Sequence, residues 1–123
     1  MFTIEVELFF SSAHFLRAYQ GKCEALHGHN WKVKATVEGK KLAKNGMLLD
    51  FGELKKKLKE VLEELDHKNL NEIEYFKKNN PTSENIARFI FDRLSNRLKE
   101  TSSRLKKVTV WETDTSSASY YEE

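Results

Sequence analysis

The sequence predicts an α+β protein: a four-stranded antiparallel sheet, in the order β-β-α-α-β-β, with two helices on one face. Two observations predict it. Apolar residues recur at every second position near both ends of the chain and at helical spacing through its middle. Turn residues and helix caps fall where the period changes. The 123 residues fit one domain, residues 1–123, around one modest core.

Phe2, Ile4, Val6, Leu8 and Phe10 alternate with Thr3, Glu5 and Glu7, the mark of a half-buried strand; Phe9 is the one departure. Trp31, Val33, Ala35 and Val37 alternate with Lys32, Lys34, Thr36 and Glu38, a second strand. Gly39, Asn45 and Gly46 mark residues 39–48 as a connection. Phe51, Leu54, Leu58, Val61, Leu62 and Leu65 then share one helical face, with Asp50 as N-cap. That helix ends near "LDHKNLN", and a loop runs through Pro81. "PTSEN" opens a second helix, with Thr82 or Ser83 as N-cap. Its apolar face is Ile86, Ala87, Ile90, Phe91, Leu94 and Leu98. Near Arg104 the period returns to two: Val108 and Val110 alternate with Lys107, Thr109 and Trp111. A last short strand covers Ala118 to Tyr121. Strands joined by a short link pair antiparallel, and two amphipathic helices must cover the apolar face of the sheet. Four strands leave two open edges, which favours a homo-oligomer.

Composition narrows the function. Lys and Arg number 21 against 19 Asp and Glu, a net charge of +2. That is too weak a field for nucleic-acid binding. The lysine runs at 55–57 and 77–78 sit among acidic or polar residues, as on a solvated face. A single cysteine forms no internal disulfide, and neither a signal segment nor a long apolar run is present. A reducing cytoplasm is the expectation, with no membrane partner.

"CEALHGHN", residues 23–30, holds three of the chain's few metal-competent side chains: Cys23, His27 and His29. His27 and His29 are two apart, so on a strand they point to one side. Gly28 between them lets a ligand or backbone come close. A hairpin of the first two strands brings His14 beside them. Three neutral imidazoles at one point suit zinc. With Cys23 as fourth ligand the site would be closed and structural; without it, an open position remains, as at a catalytic zinc. Spacing leaves both open, and H-x-H pairs also occur by chance. Asp66-His67 places an acid beside the remaining histidine at a helix end, fit for proton transfer or for ordinary helix termination. Glu112 shares the strand parity of Val108 and Val110. A carboxylate on the apolar side needs a partner, either a ligand or a lysine.

These residues resemble the 6-pyruvoyltetrahydropterin synthase / 6-carboxytetrahydropterin synthase family. The matching stretches are "SSAHFL" at 11–16, "GKCEALHGHNWKV" at 21–33, "GMLLDFGELK" at 46–55, "LDHKNLN" at 65–71, "NPTSENIA" at 80–87 and "VWETDTSSASY" at 110–120. They run in the family's order over nearly the whole chain. The resemblance implies the T-fold. It implies a Zn2+ cofactor held by His14, His27 and His29, with Cys23 free as a catalytic thiol and Asp66 and His67 as its proton-transfer partners. It implies Glu112 as the anchor of a pterin. Thr82 and Ser83 match a Thr-Thr pair that contacts the pterin in the animal enzyme, with Ser in the second place here. The implied substrate is 7,8-dihydroneopterin triphosphate, and the implied assembly is a hexamer with sites between subunits.

Two family activities compete. One eliminates triphosphate to give 6-pyruvoyltetrahydropterin. The other also releases acetaldehyde and gives 6-carboxytetrahydropterin, a precursor of queuosine. The three residues between Cys23 and His27 resemble the bacterial carboxy-forming enzyme, while "DHKNL" and "ETD" stand closer to the animal wording. The resemblance therefore favours a 6-carboxytetrahydropterin synthase, a lyase. The other readings are the pyruvoyl-forming enzyme, a non-catalytic protein whose zinc is closed by Cys23, and a T-fold module that binds pterin without turning it over. Relatives that act in folate synthesis carry glutamate in place of the cysteine, and Cys23 argues against that branch.

Overall fold

The alternation that marks the first strand outlasts its apolar residues. In the computed structural model, which describes residues 1–18, 21–22 and 24–123, β1 spans Phe2–His14 and β2 spans His27–Gly39. They pair antiparallel without interruption, from Phe2 opposite Gly39 to His14 opposite His27. β3 (Arg104–Thr113) pairs with β2, and β4 (Ser116–Tyr121) with β3, giving a sheet of order β1-β2-β3-β4. The expected four-stranded antiparallel sheet is found, with longer strands than the apolar residues alone mark. No described helix is long and apolar enough to cross a membrane.

Helix α1 covers Phe51–Leu62, and Asp50 caps it by accepting from the Gly52 N–H at 2.7 Å. Two further elements fill the stretch between α1 and Pro81: a 3-10 turn at Leu70–Glu72 and the five-residue helix α2, Glu74–Lys78. The sequence reading has only a loop there, because elements this short show no resolvable period. α2 seats Phe76, fully buried, against Phe89 and Tyr75 with ring centroids 5.3 and 5.0 Å away. Helix α3 runs Ser83–Arg97, and of the two cap candidates Thr82 is the N-cap, accepting from the Asn85 N–H at 3.1 Å. Leu54, Leu58 and Val61 of α1 and Ile86, Ile90 and Leu94 of α3 bury against Val6, Phe10, Trp31, Val33, Val108 and Val110 of the sheet. Both long helices thus cover one face, as expected.

One sheet edge is partly closed. Residues 65–69 lie along the end of β1. Ala13 N–H donates to the Lys68 carbonyl at 3.0 Å, His67 N–H to the Ser11 carbonyl at 2.6 Å, and Ser11 N–H to Asp66 Oδ1 at 2.9 Å. The Ser12 hydroxyl donates to the Leu65 carbonyl. Beyond β1, two asparagines continue the pairing. Asn71 accepts from the Phe15 N–H and donates to the Phe15 carbonyl, both at 2.9 Å. Asn80 does the same for Arg17, at 2.9 and 3.3 Å. Each side chain satisfies a donor and an acceptor that a neighbouring strand would otherwise take.

Phe76 carries α2 on a single buried ring, so its removal should be expensive. Phe76→Ala should lower unfolding stability by about 3–5 kcal/mol. Urea denaturation checks it: the midpoint should fall at unchanged slope.

Candidate metal centre and adjoining clefts

Period two carries the inner face of the β1–β2 ladder past the end of the core. Phe10 and Trp31 still belong to the core, their rings stacked at 5.9 Å. The next inward positions are Ser12, His14, His29 and His27, and their polar atoms take over where the aliphatic side chains stop. His14 is only 1% exposed, and its ring meets those of His27, His29 and Trp31 edge-on at 4.7, 5.2 and 4.9 Å. Glu112 comes from β3, at a register shift between Trp111 and Thr113. A bulge adds an unpaired residue and re-aims its side chain, and here it brings Glu112 to the imidazoles. One ligand atom from each of His14, His27, His29 and Glu112 lies within 4.8 Å of all the others.

The hydrogen bonds show what this cluster lacks. His14 Nδ1 is 2.7 Å from the Pro81 carbonyl, and His27 Nδ1 is 2.9 Å from the Ala25 carbonyl. A carbonyl only accepts, so both rings carry their proton on Nδ1, and in the neutral ring Nε2 is a bare acceptor. His14 Nε2 and His29 Nε2 lie 3.4 and 2.9 Å from Glu112 Oε1. The distances alone would make ion pairs. Both nitrogens are buried, and among the described residues neither has a well-directed hydrogen-bond partner. The His14 Nε2 lone pair facing a carboxylate oxygen is repelled unless a proton or a cation sits between them. Burial lowers the His29 pKa, against the opposing pull of Glu112, and His14 and His27 lower it further. Nitrogen and oxygen donors around a common point, with Nδ1 held by carbonyls, fit a divalent cation.

Two clefts of about 470 Å³ each adjoin the cluster. One is lined by His14, Arg17, Asn80, Thr82, Ser83 and Glu112. Thr82 and Ser83 thus share a cleft with Glu112, as the sequence reading expects. The other is lined by Ser11, Ser12, Gly28, His29, His67 and Lys68. His67 rises from the strap over β1 with its side chain 81% exposed and Nδ1 2.9 Å from Asp66 Oδ2. The Ser11 N–H, and then His67, hold the Asp66 carboxyl below its ordinary pKa. Asp66 and His67 are paired, and His67 shares a cleft with His29. Cys23 lies outside the described residues. The sequence reading missed the groups that hold the ligands: the Pro81 and Ala25 carbonyls, Ser11, and Asn80. The first two are backbone atoms without a sequence signal; Asn80 stands in the quoted "NPTSENIA" beside the proline.

The family model described as 6-pyruvoyl tetrahydropterin synthase matches residues 3–123. A 6-carboxy-5,6,7,8-tetrahydropterin synthase of Haemophilus influenzae is 34% identical over 144 residues, covering 99% of this chain and all of the relative. A dihydroneopterin monophosphate aldolase of Pyrococcus furiosus is 40% identical over 103 residues, covering 84% of this chain and 82% of the relative. The solved structure of Caenorhabditis elegans 6-pyruvoyl tetrahydropterin synthase superposes with a TM-score of 0.86 at 31% identity, covering 99% of this chain and 96% of that one. The chain belongs to the 6-pyruvoyl tetrahydropterin synthase family and has its T-fold. The expectation of a lyase-type enzyme agrees with relatives named as pterin synthases.

A cation that relieves the cluster must also stabilise the fold. Chelator-treated protein should gain about 2.7 kcal/mol from a divalent ion at about 100 times its Kd. His29→Ala should lose most of that gain. Thermal melts across an ion titration check it, and a melting temperature indifferent to every divalent ion would exclude the centre.

Proposed function

From membership of this family, we propose that the chain is a zinc-dependent 6-carboxy-5,6,7,8-tetrahydropterin synthase. It would convert 7,8-dihydroneopterin triphosphate and water to 6-carboxytetrahydropterin, acetaldehyde and triphosphate, on the route to queuosine and related deazapurines. The observation that carries the reading is the imidazole cluster: two buried, unpartnered Nε2 atoms beside a cleft lined by Glu112, Thr82 and Ser83. The Haemophilus relative, matched over its whole length, is named for that reaction. The three-residue gap between Cys23 and His27 favours the same branch.

In this reading His14, His27 and His29 would hold Zn2+, which would supply Lewis-acid polarisation of a substrate side-chain oxygen. Glu112, which already lines the cleft, would accept the pterin's paired N–H donors in a fork. Thr82 and Ser83 contact the same ring. Asp66 stays ionised under the Ser11 N–H and orients the His67 ring through Nδ1, which leaves Nε2 to exchange a proton. Cys23 as thiolate is the second proton-transfer group. The assembly is a hexamer in the cytoplasm, with sites between subunits. An imidazole 81% exposed at the sheet edge is free to serve a neighbouring subunit's Cys23.

Incubation with dihydroneopterin triphosphate, followed by mass analysis of the products, tests the reaction. 6-Carboxytetrahydropterin and acetaldehyde are expected. 6-Pyruvoyltetrahydropterin would move the chain to the activity for which the nematode structure is named, and an untouched substrate would sink both.

Cys23 separates the enzyme from a closed structural zinc site. Cys23→Ala should keep its zinc and its melting temperature and lose about 10²–10⁴-fold in turnover. If zinc and stability fall together with activity, the thiol is a ligand and the proposed mechanism is wrong.

A further inference from the structure

We propose that Asn80 is a positioning residue for the metal centre: with Asn85 it fixes the Pro81 carbonyl against His14, and so keeps the His14 Nε2 lone pair available to the ion. The inference rests on the metal-binding reading of the histidine cluster and adds to it the group that sets the geometry of one ligand.

His14 is 1% exposed and, among the described residues, makes one hydrogen bond, from Nδ1 to the Pro81 carbonyl at 2.7 Å. That bond decides the tautomer. Without it the ring proton can sit on Nε2, where it would block the ion, and the ring loses its orientation. A loop carbonyl is only as well placed as its loop, and proline has no N–H with which to anchor itself. Its neighbours supply the anchors. The Asn80 side chain accepts from the Arg17 N–H at 2.9 Å and donates to the Arg17 carbonyl at 3.3 Å. The Asn80 carbonyl in turn accepts from Asn85 Nδ2 at 2.9 Å and from the Thr82 N–H at 2.7 Å. The Asn85 N–H closes the loop on Thr82 Oγ1 at 3.1 Å.

These bonds tie together the two backbone segments that carry His14 and Pro81. Asn80 ties the carbonyl to Arg17, three residues beyond His14. Asn85 ties it to the first turn of α3. A cut at Asn80 frees Pro81 from the β1 side, and a cut at Asn85 frees it from the helix side. Neither side chain is among the cluster's ligand-bearing residues, and the Pro81 carbonyl is the link from Asn80 to a ligand ring.

The test measures metal binding rather than turnover. Chelator-stripped wild type, Asn80→Ala, Asn85→Ala and Leu98→Ala are titrated with Zn2+ against a chromophoric chelator, and Co2+ visible spectra are recorded for each. Leu98, buried beyond the far end of α3, calibrates a loss of stability alone. Asn80→Ala should bind Zn2+ about 10-fold more weakly, the lower end for loss of a group that orients a ligand. Its Co2+ spectrum should change, and Asn85→Ala should follow in the same direction. Leu98→Ala should melt earlier yet keep the wild-type affinity and spectrum. Wild-type affinity and spectrum in both asparagine variants would overturn the proposal, as would an equal loss in Leu98→Ala. If Asn80→Ala does not fold, Asn85→Ala decides. If the wild type binds neither ion, the metal reading itself falls, a result distinct from failure of this inference.

Discussion

The register between β1 and β2 is the constraint on which the working end of this protein depends. Side chains alternate with a period of two, so a slip of one residue would send every inward group to the other face. Here the same register that puts Val6, Phe10, Trp31 and Val33 under the helices also sets His14 opposite His27 and keeps His29 on their side. Core and metal centre are consecutive stretches of one face. The apolar stretch pins the register, because exposing it would lose the burial of several large side chains. The imidazoles inherit a position they could not hold by their own interactions.

That inheritance has an electrostatic consequence. A ladder chosen for the core forces three imidazoles and the Glu112 carboxylate into one small volume. Carbonyls occupy the Nδ1 positions of His14 and His27, so acceptors face acceptors. Trp31, fully buried beside His14, shields that imidazole from water on the core side. A cation entering such a cluster would relieve the repulsion, so the arrangement could hold a metal ion.

The parts legible in the sequence are those where one residue type repeats at a fixed period. The strands, the two long helices and the sharing of one face by His27 and His29 follow from periodicity, and the cap at Asp50 from residue type; the second cap is narrowed only to Thr82 or Ser83. The parts that stay hidden rest on backbone groups or on short elements. α2 has too few residues to show a period, so the burial of Phe76 and Phe89 against each other is invisible until the fold is known. The closing of the β1 edge by residues 65–69 depends on carbonyls and N–H groups, which every residue carries. Glu112 is an intermediate case. Its parity shows that it faces the core side, but the bulge that delivers it to the histidines has no residue signature. The T-fold and the roles of Asp66 and His67 entered through family resemblance, since an Asp-His pair at a helix end is by itself an ordinary helix terminus.

The strap that carries His67 meets a requirement that burial cannot. A group that exchanges protons with a substrate must be accessible and still hold one orientation. Buried side chains get their orientation from packing; His67, 81% exposed, has no packing to rely on. Its backbone lies in the left-handed region, with φ of 55°, a conformation that raises the energy of a non-glycine residue by about 1–3 kcal/mol. The strain is held by contacts on either side. The His67 N–H binds the Ser11 carbonyl, the Ser11 N–H binds Asp66, and the Ser12 hydroxyl binds Leu65. Ser12 pairs in register with His29. The same two serines that continue the inward and outward faces of β1 therefore tie the His67 turn to the strand pair that carries His14, His27 and His29. An imidazole at the surface is thereby located by the same ladder that locates the buried ones, and the distance between them is set by β-sheet geometry rather than by a flexible loop.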